Sequence, residues 1–261
     1  MTWNPRKKCF LTQRPTSAHP LLTPAEDRDL DVAVQQLIHV ESSTLKLMKQ
    51  TKLYLEAICN LDKADQKLTT NLSTSGLVYL SDNFRQIVED YHSVTNQVGK
   101  AVQEMVNLTQ KTFLEPLKKL RDKFSLVAEA LVKREELLTV WKTSYNRLKK
   151  LQEKKDKTAN HVAKLEREKR AEDIAAKELK AVHLKLLSDF PWFLEKRLEY
   201  VKPSVHALIM IQLDYYGNTT KLFTQLMPAF DNSSSPASFA ISDEDYNAKI
   251  QKQYYNIINK Q

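Results

Sequence analysis

The sequence predicts an all-α chain, three long helices packed as a kinked antiparallel coiled coil, and three observations lead there. The 261 residues contain three glycines, Gly76, Gly99 and Gly217, where average usage would supply about eighteen. Sheets need frequent tight turns, for which glycine at positive φ is the usual residue, whereas a few long helices need almost none. Apolar residues also recur at steps of three and four over stretches much longer than an ordinary helix. Signals for a helix start, a hydroxyl cap and an early proline, stand together at the head of the first of those stretches.

Residues 1–22 form a basic arm, read as lying outside the core. It carries Arg6, Lys7, Lys8 and Arg14, no acid, the prolines Pro5, Pro15 and Pro20, and the apolar residues Trp3, Phe10 and Leu11. That composition suits an interfacial segment, while the prolines suit a disordered tail and leave room for about two to three helical turns. Both readings stand at this level.

The first helix starts at Thr23-Pro24-Ala25-Glu26, where a hydroxyl N-cap, proline at the first helical position and glutamate three residues on form a capping box. Its apolar positions run Val34, Leu37, Ile38, Leu45, Met48, Leu55, Ile58, Leu61, Leu68 and Leu72, and it ends near Gly76. The pattern restarts after Ser81-Asp82 as Phe84, Ile87, Tyr91, Val94, Val98, Ala101, Met105 and Leu108. A five-residue step then leads to Phe113, beside Pro116, and the seam resumes through Leu117, Leu120, Phe124, Leu131, Leu138, Trp141 and Leu148. A bend is predicted over 112–116, since proline removes one helical hydrogen bond without necessarily ending the helix. Between 151 and 159 the seam gives way to charged residues, a helical hairpin tip. The third helix follows, with Pro191 and Pro203 inside it predicting two more bends. Residues 230–242 read as a linker, and the stretch to Gln261 as a short accessory helix.

A second helix continuous from 82 to 152 would be about 105 Å long, more than a compact globule of this mass holds. So elongated a bundle leaves its apolar seams open unless a second copy covers them, and dimerisation is expected.

Forty Lys+Arg against 32 Asp+Glu give a net charge of +8, which favours an acidic partner. Three glycines are too dispersed for a P-loop or a dinucleotide fingerprint. The six histidines form no HExxH spacing and no serine stands in a GxSxG elbow, so neither catalysis, nor a metal, nor a cofactor is expected. No nucleic-acid recognition helix or zinc-ligand set is visible. Cys9 and Cys59 form no CxxC and no long apolar run is present, so a cytoplasmic protein peripheral to membranes is expected.

Two clusters of cations stand out. At the hairpin tip Arg147, Lys149, Lys150, Lys154, Lys155 and Lys157 outnumber Glu153 and Asp156. In mid-arm come Lys133, read as exposed, and Arg134, which falls on the apolar seam between Leu131 and Leu138. For Arg134, lipid contact and a carboxylate partner across the bundle are both open.

The sequence resembles the BAR (Bin/amphiphysin/Rvs) family over roughly residues 1–228, within it the small amphiphysin-like members without an SH3 domain, of the bridging-integrator and fungal Rvs/Hob type. The resemblance rests on the Met-Thr-Trp start, Phe-Leu-Glu-Pro-Leu-Lys-Lys-Leu at 113–120, Val-Lys-Arg-Glu-Glu at 132–136, and above all Phe190-Pro191-Trp192-Phe193, Arg197-Leu198-Glu199-Tyr200 and Pro203-Ser204. It implies a BAR domain over 23–229, dimerising into a crescent-shaped six-helix bundle whose concave basic face binds anionic phospholipid and senses or induces curvature. It further implies a setting in endocytosis, cytokinesis or the actin-rich cell cortex, as a homodimer or as a heterodimer with a larger SH3-bearing BAR protein. The competing expectation is a dimeric coiled-coil scaffold that binds actin or an acidic protein without touching membrane.

Overall fold

The computed structural model describes residues 9–154, 158–227 and 243–258. Four long helices carry the architecture. Helix α1 spans Pro24–Ser73 and opens with the expected capping box, Thr23 accepting from the Glu26 backbone and Glu26 reaching back. A 3-10 turn at Gly76–Tyr79 joins it to α2, Asp82–Thr109, capped by Ser81. A π turn at Gln110–Leu114 then passes directly into α3, Glu115–Gln152.

The chain therefore stays helical from 82 to 152, as predicted. The five-residue step from Leu108 to Phe113 is the sequence trace of that π turn, whose wider winding keeps the seam on one face across the extra residue. Helix α4, Ala159–Thr224, runs unbroken through Pro191 and Pro203, and α5 spans Asp243–Ile258. The predicted linker at 230–242 lies outside the described residues.

The two halves of α1 have different neighbours. Its second half packs with α2 and the end of α4 around Met48, Leu55, Val98, Val102 and Tyr215. Its first half packs with α3 and α4 around Leu30, Leu37, Phe124 and Phe190. Further out, Leu138, Trp141, Ala176 and Leu179 join α3 to α4. Helix α1 comes close to α2 at Gly99, where an added methyl would stand 2.6 Å from Gln66 Nε2 and 2.9 Å from Asp62 Oδ1.

Two expectations are corrected. The arm is not outside the core: Leu11, Ala18 and Leu22 are buried, and residues 9–22 lie across the bundle as a strap without helix. In α1, Leu61 and Leu68 are not intrachain seam residues but stand more than half exposed, while Thr51, Asp62 and Thr69 take the buried positions. Together with exposed Leu53, Ala57 and Ala64, these leucines form a second apolar stripe at steps of four and three, facing away from the protomer. Helix α4 carries a matching exposed set in Ile209, Leu213 and Tyr216.

Candidate functional site

Beyond the start of α1 the arm is a two-helix projection that ends where α3 and α4 turn back. The seam of α3 is buried up to Leu148, which turns the residues between its apolar positions to solvent. Arg147, Lys149, Lys150 and Lys154 are all exposed there, and no described carboxylate lies within ion-pairing distance of any of them. Lys155 and Lys157 lie outside the described residues. From Gly99 to Lys150 the helix climbs about 75 Å, so these cations sit far from the centre of the bundle.

In mid-arm the two neighbouring cations separate. Lys133 is exposed and 3.9 Å from Glu136, an i,i+3 surface pair. Arg134 is fully buried, and the structure removes it from the lipid-facing set because its guanidinium has no route to solvent. Its Nη1 donates to the Thr16 carbonyl at 2.9 Å and to Glu135, its Nη2 lies 3.5 Å from Asp27 Oδ1, and its Nε donates to His183 Nδ1 at 3.4 Å. Every donor arm thus finds an acceptor, which a buried guanidinium requires.

The strap is held by the same logic. Glu41 is fully buried on α1 and accepts from the backbone N–H groups of Phe10 at 2.6 Å and Leu11 at 3.0 Å. Thr16 N–H donates to Glu135, and Ser17 and Ala18 donate to Asp27 at 2.6 and 3.0 Å. Leu11 is therefore removed from the interfacial set, since its side chain is enclosed between the helices. Phe10 stays 42% exposed and Arg14 is open to solvent, 3.9 Å from Asp31. Trp3, Arg6, Lys7 and Lys8 lie outside the described residues.

Sequence reasoning missed Glu41, Asp27 and His183. One signal was present: Glu41 occupies the seam position in the gap between Ile38 and Leu45, and a carboxylate there needs donors brought from elsewhere.

His183 is buried, and burial followed by the Arg134 charge pulls its pKa below the ordinary 6.5, against the opposing pull of Asp27 and Glu26. With Nδ1 accepting from Arg134, the ring is neutral and carries its proton on Nε2. The unfolded chain takes up the extra proton near pH 6.5 while the folded protein resists it. Stability is therefore present above that pH and is lost as pH falls through the depressed folded value, at about 1.4 kcal/mol per unit of depression. Urea unfolding at neutral and mildly acid pH should show that loss, and His183→Gln should flatten it.

Among the described residues no helix is long and apolar enough to cross a membrane. A family model described as BAR domain matches residues 23–232, beginning at the α1 N-cap. The chain is similar to Bridging integrator 3 of Rattus norvegicus, 29% identical over 205 residues that cover 78% of this chain and 81% of the relative. It is also similar to a Candida albicans protein named Regulator of cytoskeleton and endocytosis RVS161, 25% identical over 218 residues, 80% of this chain and 79% of that protein. The solved amphiphysin BAR domain from Drosophila shares the fold, with a TM-score of 0.63 at 15% identity over 82% of this chain and 94% of that one.

Proposed function

The chain belongs to the BAR-domain family, whose fold scaffolds membranes, and from that premise we propose that this protein binds anionic membrane surfaces as a dimer and senses or induces their curvature. The observation that carries the proposal is the tip: Arg147, Lys149, Lys150 and Lys154 are solvated, unpaired with described carboxylates and borne at the far end of the arm. Near an anionic leaflet each basic residue contributes about 1 kcal/mol, and the field fades within a Debye length of about 8 Å. Tip cations act only if the tip itself reaches the surface, and a projecting arm brings it there. Lys155, Lys157 and exposed Lys133 would add to the attraction for an anionic surface, as would Phe10 and Arg14 of the strap and the N-terminal residues Trp3, Arg6, Lys7 and Lys8.

Dimerisation is supported by the second apolar stripe of α1 and its counterpart on α4, which one protomer leaves uncovered. A homodimer uses that face twice; a larger SH3-bearing BAR protein with a matching stripe would form the heterodimer. The Candida relative is named for cytoskeleton and endocytosis, and we extend that setting, with cytokinesis and the actin-rich cortex, to this protein.

Co-sedimentation with phosphatidylserine-containing and pure phosphatidylcholine vesicles of two diameters tests the reading, with solution mass measured in parallel. The expected result is binding of a dimer to the anionic vesicles alone. A dimer that ignores both would overturn the membrane reading in favour of a scaffold for actin or an acidic protein.

A further inference from the structure

Arg14 is the only arginine of the chain followed three residues on by a serine or threonine, and that residue is Ser17. An exposed arginine at this spacing before a hydroxyl, in backbone that is not helical, is the charge pattern that arginine-directed protein kinases read. The strap supplies both conditions. Residues 9–22 run without helix, Thr16 and Ser17 are exposed, and the Arg14 side chain is 71% open to solvent.

Ser17 is also where the strap is sensitive to added negative charge. Its Oγ donates to Asp27 Oδ2 at 2.6 Å, and the next residue, Ala18, donates its N–H to the same carboxylate at 3.0 Å. A phosphoryl group on Ser17 brings a charge of about −1.5 to −2 to an oxygen that now touches a carboxylate, and it removes the proton that bridges them. Arg134 lies 3.5 Å from the other oxygen of Asp27. Recruiting it to the phosphate would break its bonds to Glu135 and to the carbonyl of Thr16, and Thr16 is itself part of the strap.

Few bonds hold the strap shut. Phe10 and Leu11 donate to Glu41, Thr16 to Glu135, and Ser17 and Ala18 to Asp27. A short segment held in this way opens at lower free energy than the helices beneath it. A kinase takes the open form, and a phosphorylated strap is repelled by Asp27 as it returns, so the modification shifts the population toward the open state.

We propose that Ser17 is a phosphorylation site and that its phosphate holds the strap open. In the transfer, Ser17 Oγ forms a bond to the γ-phosphorus of a nucleoside triphosphate while the bond from that phosphorus to the β,γ-bridging oxygen breaks. The hydroxyl proton passes to the kinase's base and the nucleoside diphosphate leaves. Opening withdraws Leu11 from the cluster around Leu30, Leu37 and Val127, and Ala18 and Leu22 from the cluster around Leu138, Trp141 and Leu179. It also removes the strap's bridge from Glu41 and Asp27 of α1 to Glu135 of α3. The inference stands apart from the membrane reading, since every contact it uses lies within one protomer.

Two experiments test it. The full chain is incubated with ATP and an arginine-directed serine/threonine kinase, and the phosphate is mapped by mass spectrometry. Phosphate on Ser17 is expected, with its loss in Ser17→Ala and a strong reduction in Arg14→Ala; a chain without phosphate on Ser17 overturns the site. Phosphoserine installed at position 17 during translation then tests the latch by amide hydrogen exchange. The amides of Phe10, Leu11, Thr16 and Ala18 should lose protection while those of α2 keep theirs, and Ser17→Ala should keep the strap protected. Retained protection in the phosphorylated chain overturns the latch, as does an equal loss in Ser17→Ala, where a hydroxyl is removed without adding charge.

Discussion

Replacing Lys149, Lys150 and Lys154 together by glutamate is expected to abolish sedimentation with phosphatidylserine-containing vesicles while leaving helicity and dimer mass unchanged. All three side chains are exposed, so reversing them disturbs no packing. At about 1 kcal/mol for each basic residue near the leaflet, losing three from each of two tips removes about 6 kcal/mol, and the new acids add repulsion. That corresponds to about four powers of ten in affinity. Raising the salt of the wild type should mimic the variant, since the Debye length shrinks to about 3 Å at molar ionic strength. Lys133→Glu alone should weaken binding far less than the triple variant, because Glu136 already offsets that charge and one cation per protomer is changed rather than three. Binding that persists in the triple variant would place the main contact elsewhere, and the segment before the strap would become the next region to change.

Arg134→Ala is expected to destabilise the protein by about 3–5 kcal/mol, the cost of breaking a buried ion pair from one side. Against the 5–15 kcal/mol of a typical domain, this is a large fraction. The substitution leaves Asp27, 14% exposed at its side chain, without its cation, removes the donor to the Thr16 carbonyl and opens a void beside His183. Urea unfolding measures the loss, and limited proteolysis should show faster cleavage within 9–22 because the strap loses its anchor. Lys133→Ala, one residue away and solvated, should stay within about 0.5 kcal/mol. Coupling between Arg134→Ala and Asp27→Asn in a double-mutant cycle would assign the effect to the pair. Equal, small effects at 133 and 134 would contradict the burial of Arg134.

The parts of the fold that were legible in sequence are those set by local chemistry. The capping box at Thr23 and Glu26, the restart of the pattern at Ser81-Asp82 and the loss of the seam after Leu151 each depend on residues within a few positions of one another, and the structure places helix ends at all of them. The five-residue step at Leu108 to Phe113 located an irregularity, read as a bend beside Pro116, and the structure gives it the form of a π turn at Gln110–Leu114. The candidate cations of the tip were legible because solvated charge needs no partner to explain it.

The strap was not legible, because its anchors are backbone N–H groups, which every residue carries. Their acceptors are Glu41 and Glu135, 31 and 119 residues away in the chain from Phe10 and Thr16. Proline and cation content described the arm's composition truthfully while saying nothing about the carboxylates waiting for it. Arg134 was ambiguous for a related reason: a charge on a seam position is either exposed by a twist of the helix or enclosed by partners, and only the arrival of Thr16, Asp27 and His183 decides. The two stripes of α1 pose the same problem, since Leu55 and Leu61 are equally apolar in sequence.

By itself, then, the sequence determined that this protein is a long helical hairpin with a charged tip, where its helices begin and end, and that some apolar seam must find a second copy. The tertiary structure alone decided which seam stays inside the protomer, which cation is buried and which residues of the arm become core. Helix propensity and capping act over a few residues, whereas burial and the pairing of buried charge depend on groups that meet only once the whole chain has folded.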